Sequence, residues 1–406
     1  MKPFYSTVAV VGGGSSGMIA ALTAAEVPGR RVLLLERQQR VGRKLLATGN
    51  GRCNLTNRNA APRDYFGSDP AFAVPALSAF TPVDTQRFFS KLGLLTMTEE
   101  NGRVYPFSDS ANSVLDVLRF ALEREKIELR CSFPVEEILP EKSGFRLRSG
   151  SEVLHADAVI LACGGAAGAK LGGVMDGYRL GKALGHRRSG LYPSLTRIQT
   201  DPEYPRSLKG VRVQAALRLT RRGVLLAESN GEVQFTETGI SGPAGFDLSR
   251  AISFGGEDQL LHLKLLPYDA EGVTSLLRAR QRRFPELEAS DLLTGMLHNR
   301  LGRVLVKAAG IPSTAPLSDL SEAQLQSAVV QCLDFCLPVR GVDGFDAAQV
   351  TAGGLLTEQF EPQTLESRLH PGLFACGEVL DIDGPCGGYN LQWAWASGRL
   401  AGRLGS

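Results

Sequence analysis

A glycine-rich turn near the start of the chain limits what this sequence can fold into more than any other feature. The run Val8–Val11 is short and apolar, as in a strand buried on both faces, and it leads into the string GGGSSG. Gly12, Gly14 and Gly17 fill the three fixed positions of the pattern G-x-G-x-x-G. The first glycine permits a tight turn, the second lets a phosphate approach the backbone, and the third lets a helix pack closely on the strand. The pattern predicts a strand, a phosphate-binding turn and a helix.

The residues after this turn predict a βαβ unit. Apolar side chains recur at helical spacing from Ser16 to Glu26, and a second buried strand runs from Arg31 to Glu36. A strand, a helix and a parallel strand need a right-handed crossover, so we expect the chain to open a doubly wound α/β sheet. Glu36 stands about 20 residues after the last glycine, where a carboxylate accepts the hydroxyl groups of an unphosphorylated ribose, as in FAD or NAD.

The composition argues against several other classes of protein. The chain has 406 residues, with 45 Lys and Arg against 42 Asp and Glu, and its formal net charge is +3. This near-balance argues against a protein that binds nucleic acid by neutralising its phosphates. It has no uncharged apolar run of about 18 residues and no signal-peptide pattern at its start. Its seven cysteines include no CxxC, and its five histidines form no zinc pattern. We expect a cytoplasmic protein with no metal site and no membrane segment, for which nucleic acid is not the expected partner.

The glycine content and the pattern of apolar and polar residues change along the chain. Residues 1–190 and 346–406 have the glycine-rich α/β character of the first strand and turn. Between them, residues 191–267 alternate apolar and polar side chains as antiparallel strands do, and residues 268–345 are predicted to be helical. The predicted fold is therefore α/β, with a β-barrel-like and helical domain inserted between two parts of one nucleotide-binding domain.

A second glycine-rich segment bears on which dinucleotide binds. The apolar run LFAC ends at Gly377–Glu378, and Gly387–Gly388 precedes a predicted helix from Asn390 to Gly398. A nicotinamide dehydrogenase has no general need of such a C-terminal segment to hold its cofactor, whereas a two-part flavoprotein uses one for the ribitol and the ring. The segment favours non-covalent FAD, with NAD(P)H as the candidate electron donor. The alternative is a loop that only joins a strand to a helix.

The segment from Gly42 to Asn54 is too polar and too rich in glycine for a core element. Lys44 and Arg52 offer positive charge for phosphates or a reduced flavin, and a plain surface loop is the alternative. Cys53 has no second cysteine near it in sequence, which favours packing over thiol chemistry. Outside this loop, His186 is predicted to be a cap or packing residue. Cys332 and Cys336, four residues apart, are predicted to share a buried helix face.

Five longer strings resemble one known family. They read VGRKLLATGNGRCNLTN, NGRVYPFSDSANSVLDVL, FTETGISGPAGFDLS, TAGGL and GEVLDIDGPCGGYNLQWAWASG, and they are spread over nearly the whole chain. They are similar to the BaiN/RdsA family of NAD(P)/FAD-dependent oxidoreductases, also called YhiN-like flavoproteins. The resemblance implies a two-part Rossmann-like FAD-binding domain with a family-specific insert. It also implies FAD bound by the glycine turn, by Glu36, by the segment Lys44 to Asn54 and by the segment Gly377 to Leu391.

The expected cofactor-binding residues combine the motif and the resemblance. They are Gly12, Gly14, Ser15, Ser16, Gly17, Glu36, Arg37, Lys44, Gly51, Cys53, Asn54, Val135, Gly377, Glu378, Gly387, Gly388, Tyr389, Asn390 and Leu391. Val135 stands where the resemblance implies backbone bonds to the adenine. The sequence assigns no catalytic acid or base and no oligomeric state.

Three functions follow from these expectations. The first is an FAD-dependent oxidoreductase that transfers hydride between the flavin and NAD(P)H or a small-molecule substrate, with the insert covering the ring and forming the substrate pocket. The second is a flavoprotein without redox chemistry. The third is an RNA-modifying flavoprotein, for which the only supporting feature is the arginine cluster between Arg278 and Arg283.

Overall fold

The computed structural model describes residues 5–405. The chain forms two compact units. The first unit contains the residues up to Tyr192 and those from Ala348 onward, and the second contains Pro193–Ala347. No helix within the described residues is long and apolar enough to cross a membrane.

The helices and strands follow one another in three blocks. Up to residue 191 the chain forms the strands β1 (Thr7–Val11), β2 (Arg31–Leu35), β3 (Thr56–Asn57), β4 (Thr96–Thr98), β5 (Arg103–Pro106), β6 (Glu128–Arg130), β7 (Glu137–Pro140), β8 (Phe145–Ser149), β9 (Glu152–Ala156) and β10 (Ala158–Leu161). The helices of this block are α1 (Ser15–Ala25), α2 (Arg43–Ala47), α3 (Val74–Ala79), α4 (Pro82–Lys91), α5 (Ala111–Arg124) and α6 (Asp176–Ala183).

The middle block begins with β11 (Tyr192–Ser194) and continues with β12 (Ile198–Thr200), β13 (Arg212–Arg221), β14 (Val224–Phe235), β15 (Gly239–Ser241), β16 (Gln259–Lys264) and β17 (Phe335–Val342). Its helices are α7 (Pro243–Gly255), α8 (Ala270–Arg283), α9 (Asn299–Ala308) and α10 (Glu322–Leu333). The last block contains β18 (Val350–Ala352), β19 (Leu373–Ala375) and α11 (Tyr389–Gly402).

The first unit is organised around a parallel sheet with the strand order β19-β10-β1-β2-β6. Val10, in the central strand, is opposite Ile160 on one side and Leu34 on the other, and all three side chains are fully buried. Strand β19 comes from the last block and pairs with β10, so the sheet needs both ends of the chain. The sheet and its helices confirm the predicted two-part Rossmann-like α/β fold.

Helices α1 and α11 pack against each other through small residues. A Cβ atom added to Gly398 would collide with the carbonyl oxygen of Ser16, and one added to Gly402 would come within 2.5 Å of the carbonyl oxygen of Ala20. Glycine at these two positions therefore lets the backbones approach closely. This packing fixes the C-terminal helix beside the helix that follows the glycine turn.

The second unit contains a closed six-stranded barrel with the strand order β12-β15-β14-β13-β16-β17. Ala215, Leu217 and Leu219 on β13 are buried and alternate with exposed neighbours, as predicted for this stretch. Together with the helices of the middle block, the barrel confirms the predicted β-barrel-like and helical insert.

Two elements of the insert add to the expected pattern. Helix α7 lies inside the segment 191–267 that was expected to be β-rich, and strand β17 lies inside the segment 268–345 that was expected to be helical. The string FCLPVRGV continues an apolar helical pattern, yet it alternates as a strand and closes the barrel between β16 and β12. Cys332 and Cys336 therefore do not share a helix face. Cys332 is buried in α10, whereas Cys336 is exposed on β17.

Candidate cofactor site

The glycine turn joins β1 to α1 at the end of the parallel sheet. Gly12 has φ +112°, and a Cβ atom there would collide with the carbonyl oxygen of Ala162. A Cβ atom on Gly17 would collide with the carbonyl oxygen of Gly12. These two glycines are required by the turn itself, because a larger residue would push the helix away from the strand.

Gly14 differs from the other two glycines of the pattern. Its φ of −80° is open to any residue, and a Cβ atom placed on it would find nothing within 4 Å. Among the described side chains, none caps α1 at this end, and the first helical turn carries no acid. The backbone N–H groups of Ser15 and Ser16 thus begin a helix whose partial positive charge faces open space, which suits a phosphate.

Glu36 holds its carboxylate next to the glycine turn. Its Oε2 accepts a hydrogen bond of 2.8 Å from the backbone N–H of Gly13, and its Oε1 accepts one of 2.7 Å from the N–H of Gln38. The residue is 9% exposed. A fixed acid at the mouth of the turn is the arrangement that a ribose needs.

The segment after Val41 is tied to the same turn. The N–H of Gly42 donates to the carbonyl oxygen of Gly13 at 2.9 Å, and α2 follows at once. On α2, Lys44 places its Nζ 2.7 Å from Oε2 of Glu378, and both side chains are partly buried. Gly51 follows two consecutive residues in the left-handed region and has no atom within 4 Å of an added Cβ.

Two residues of this segment are already engaged by the protein. Arg52 pairs with Glu99 at 3.0 Å and also with Asp109, and its guanidinium lies over the Tyr105 ring. The positive charge of Arg52 is therefore already neutralised by two acidic side chains of the protein. Cys53 is fully buried, and burial raises the pKa of its thiol to about 12. The thiol of Cys53 is therefore protonated at neutral pH and packs as an apolar group.

The second glycine-rich segment, which begins at Gly377, contacts the helix that follows the glycine turn. The N–H of Gly377 donates to Oγ of Ser397 at 2.9 Å, and a Cβ atom on Gly377 would collide with Oγ of Ser16 on α1. Glu378 accepts at Oε1 a hydrogen bond of 2.7 Å from the backbone N–H of Thr351. Gly377, Glu378, Lys44 and Ser16 thus meet near the glycine turn.

Gly387 and Gly388 lead into α11. Both have positive φ, and a Cβ atom on Gly388 would lie 2.5 Å from the carbonyl oxygen of Thr56 and 2.9 Å from Oδ1 of Asn54. That Asn54 oxygen is buried and accepts no hydrogen bond from the described residues. An unpaired buried acceptor beside the N-terminus of a helix fits a ligand that brings its own donor.

Other predicted positions have structural partners of their own. The Asn390 amide closes a loop by donating to the Gly384 carbonyl at 2.7 Å and accepting from its N–H at 2.9 Å. Arg37 pairs with Asp176 at 3.1 Å. Tyr389 and Leu391 pack against the core cluster of the first unit, and Val135 is a buried member of it.

Sequence reasoning missed two residues that hold the site together. Thr351 orients Glu378 through its backbone N–H, and its Oγ1 accepts from the N–H of Ala167 at 2.9 Å. Oγ of Ser397 accepts a hydrogen bond from the N–H of Gly377. Thr351 lies in the string TAGGL, which indicated the family but no role for any residue. Ser397 lies inside a predicted helix, and the helical pattern does not distinguish a residue that contacts the site.

These features fit the adenosine diphosphate half of FAD at the glycine turn and Glu36, and the flavin end near Gly387–Gly388. The open space beside Gly14 and the unpaired oxygen of Asn54 are the two observations that the fit rests on.

The chain is similar to named proteins over nearly its whole length. Residues 6–404 match the family model described as HI0933-like protein Rossmann domain. The chain is 39% identical over 401 residues, 98% of each protein, to a 3-dehydro-bile acid delta(4,6)-reductase of Clostridium scindens. It is 30% identical to a ribosomal RNA dihydrouridine synthase of Escherichia coli over 96% of this chain and 95% of that protein. A 3-ketosteroid-delta4-(5alpha)-dehydrogenase structure from Rhodococcus jostii, 16% identical, superimposes with a TM-score of 0.49 over 98% of this chain and 95% of that one.

The Rossmann-like fold, the family match and the similarity to a reductase over nearly the whole chain indicate a flavin-dependent oxidoreductase. The chain belongs to the HI0933-like family, which confirms the family that its sequence strings resemble.

Proposed function

We propose that this protein is an FAD-dependent reductase that passes hydride from NAD(P)H, through the flavin, to a carbon–carbon double bond conjugated to a carbonyl group in a small molecule. The observation that carries the proposal is the 39% identity to a bile-acid reductase over 98% of both chains. The residue assignments below rest on the geometry of the first unit.

The names of the relatives share one piece of chemistry. A 3-dehydro compound with double bonds at positions 4 and 6 is a conjugated ketone. Dihydrouridine differs from uridine by two hydrogens across a ring double bond conjugated to a carbonyl. In both cases the double bond is polarised by the carbonyl, so its far carbon accepts hydride. We therefore expect this chain to act on the same kind of bond.

Each part of the site has a separate task in this proposal. The N–H groups at the start of α1 hold the pyrophosphate, and Glu36 holds the ribose hydroxyls. The start of α11 and Asn54 orient the flavin end. The flavin, when bound, supplies the hydride chemistry, while the protein positions it and excludes water. Lys44, held by Glu378, adds positive charge between the two ends of the cofactor.

An action on RNA is the second candidate, because two relatives are named as ribosomal RNA dihydrouridine synthases. The arginine cluster on α8 gives it little support. Arg278 pairs with Glu322 at 2.6 Å, and Arg280 donates to the carbonyl oxygen of Thr294. These two side chains therefore have structural partners. The relatives are named as enzymes, so a flavoprotein without redox chemistry is not favoured.

An anaerobic turnover experiment separates the candidates. The FAD-loaded protein is reduced with NADPH or NADH and then mixed with cyclohex-2-enone, with a 3-oxo-4,6-diene bile acid, or with an unmodified ribosomal RNA transcript. We expect the conjugated ketone to reoxidise the flavin and to gain two hydrogens, as seen by mass spectrometry. If only the RNA transcript reoxidises the flavin, and dihydrouridine is formed, the proposal is wrong and the RNA candidate takes its place.

A further inference from the structure

Three side chains that are distant in sequence meet on the outside of the barrel in the second unit. His262 on β16 is directly opposite Cys336 on β17 in the antiparallel pair, and Asp334 lies just before β17, where α10 ends. No local sequence pattern indicates this cluster, because the histidine and the cysteine are brought together only by the register of two strands.

The ligand atoms of this cluster are close to one another. Nδ1 of His262 lies 2.9 Å from Oδ1 of Asp334 and 3.2 Å from Sγ of Cys336, and that Sγ lies 3.7 Å from Oδ2 of Asp334. An ion bound tetrahedrally by sulfur, nitrogen and oxygen at about 2.0–2.3 Å keeps these atoms about 3.3–3.6 Å apart. Taken with one ligand atom from each residue, all three atoms lie within 4.8 Å of one another, so an adjustment of the Asp334 carboxylate would bring them around one ion.

The geometry does not suit a Cys-His-Asp catalytic relay. A relay histidine uses one ring nitrogen for the nucleophile and the other for the acid. Here the thiol and the carboxylate both lie at Nδ1 of His262, and Nε2 is 2.9 Å from Oγ1 of Thr220. A metal-binding histidine has this pattern, with the ligands at one nitrogen and an orienting partner at the other.

We propose that His262, Asp334 and Cys336 form a binding site for a divalent transition-metal ion of the zinc class. Thiolate, imidazole and carboxylate together select zinc over calcium or magnesium, which take oxygen ligands. Three protein ligands leave a fourth position for water. The bound ion would join β16, β17 and the end of α10, so it would stabilise the second unit. The proposal is independent of the flavin chemistry.

Arg218 acts as a competitor for the ion. Its Nη2 lies 3.0 Å from Oδ1 of Asp334, so the guanidinium already neutralises the carboxylate that the ion would need. Binding of a cation has to displace this contact. Arg218 therefore provides a variant whose effect has the opposite sign to loss of a ligand.

The first test is a competition titration of the full-length, FAD-loaded protein with Zn²⁺ and a chromophoric chelator. We expect one site in the wild type, and at least tenfold weaker binding in each of Cys336→Ser, His262→Gln and Asp334→Asn. His155→Gln is the matched control, because His155 also pairs with an acid, Glu141, at 3.0 Å but does not belong to the cluster. Equal Zn²⁺ affinity in the wild type and the three ligand variants would overturn the proposal.

Two further measurements use the same proteins. Arg218→Gln should bind Zn²⁺ several-fold more tightly than the wild type, because the competitor for Asp334 is removed. An unchanged or lower Zn²⁺ affinity in this variant would show that Asp334 is not a ligand. With Co²⁺, the wild type should show visible bands of a tetrahedral ion and a thiolate charge-transfer band that Cys336→Ser lacks. A Co²⁺ spectrum identical in wild type and Cys336→Ser would exclude the thiol as a ligand and contradict the proposed site. Circular dichroism confirms that each variant is folded.

Discussion

Lys44 and Glu378 are 334 residues apart in sequence, yet Nζ of Lys44 lies 2.7 Å from Oε2 of Glu378. The lysine belongs to α2, which comes after β2, and the glutamate belongs to the segment that follows β19. The other carboxylate oxygen of Glu378 is held by the N–H of Thr351. This ion pair connects two of the sequence segments that we expect to bind FAD.

Lys44→Met and Glu378→Gln should each weaken FAD binding, and the double variant should lose less than the sum of the two losses. The pair is partly buried, with 31% and 21% of the side chains exposed, so a coupling energy on the order of 1 kcal/mol, about fivefold in affinity, is expected. Titration of the four apo-proteins with FAD measures it. Arg31 and Glu128 form an exposed pair at 2.6 Å, and Arg31→Met is the control that should leave FAD affinity unchanged. Fully additive losses would show that the ion pair has no part in the site.

Gly14→Val should lower FAD affinity by at least tenfold without destabilising the apo-protein. The backbone at Gly14 accepts any residue, and the added side chain enters only the open space beside the helix N-terminus. Gly17→Ala is the contrasting variant, because its Cβ would collide with the carbonyl oxygen of Gly12 and should cost about 1–3 kcal/mol of stability. Both tryptophans, Trp393 and Trp395, lie in α11, so their fluorescence follows unfolding of the first unit. Unchanged FAD affinity in Gly14→Val would show that the open space is not the pyrophosphate site.

Glu36→Gln should weaken FAD binding by about 1–3 kcal/mol, because a charged acceptor for the ribose hydroxyls is replaced by a neutral one. Gln keeps an oxygen for the N–H of Gly13 but loses the acceptor for the N–H of Gln38, so the stability of the apo-protein is measured alongside FAD affinity. Arg31→Gln is the control, since Arg31 begins the strand that leads to Glu36, pairs with Glu128 and is 57% exposed. Calorimetric titration with FAD and with ADP should show equal losses for both ligands. A loss confined to FAD would place Glu36 outside the adenosine half.

His186 should make the first unit sensitive to acid. Burial, and then the nearby His370, lower the pKa of His186 from 6.5 to about 4 in the folded protein. The unfolded chain binds a proton below about pH 6.5 and the native state only near pH 4, so the free energy of unfolding falls as the pH drops through this window. The full effect on the free energy of unfolding is on the order of 3 kcal/mol. His186→Gln keeps an acceptor for Ser367 and should flatten the pH dependence in urea unfolding at pH 7, 5.5 and 4. An equally steep dependence in the variant would assign the titration to another group.

Local patterns were enough to predict much of the first unit. The run before Gly12, the helix after it and the strand ending at Glu36 each show their own periodicity, and the structure contains all three. Contacts between distant segments could not be predicted in this way. The strand that contains Cys336 follows the helix that contains Cys332 after only a short connection, so one apolar pattern covered both. Arg52 was expected to face phosphates, but it meets Glu99 and Asp109 because β4 and β5 fold back beside its loop.

The central claim, an FAD-dependent oxidoreductase, is tested most directly by an anaerobic spectrum of the FAD-reconstituted protein. We expect the folded apo-protein to bind one FAD, the bound flavin to bleach on addition of NADPH or NADH, and its colour to return when a conjugated ketone is added. A correctly folded protein that does not bind FAD, or a bound flavin that no nicotinamide reduces and no ketone reoxidises, would contradict the claim.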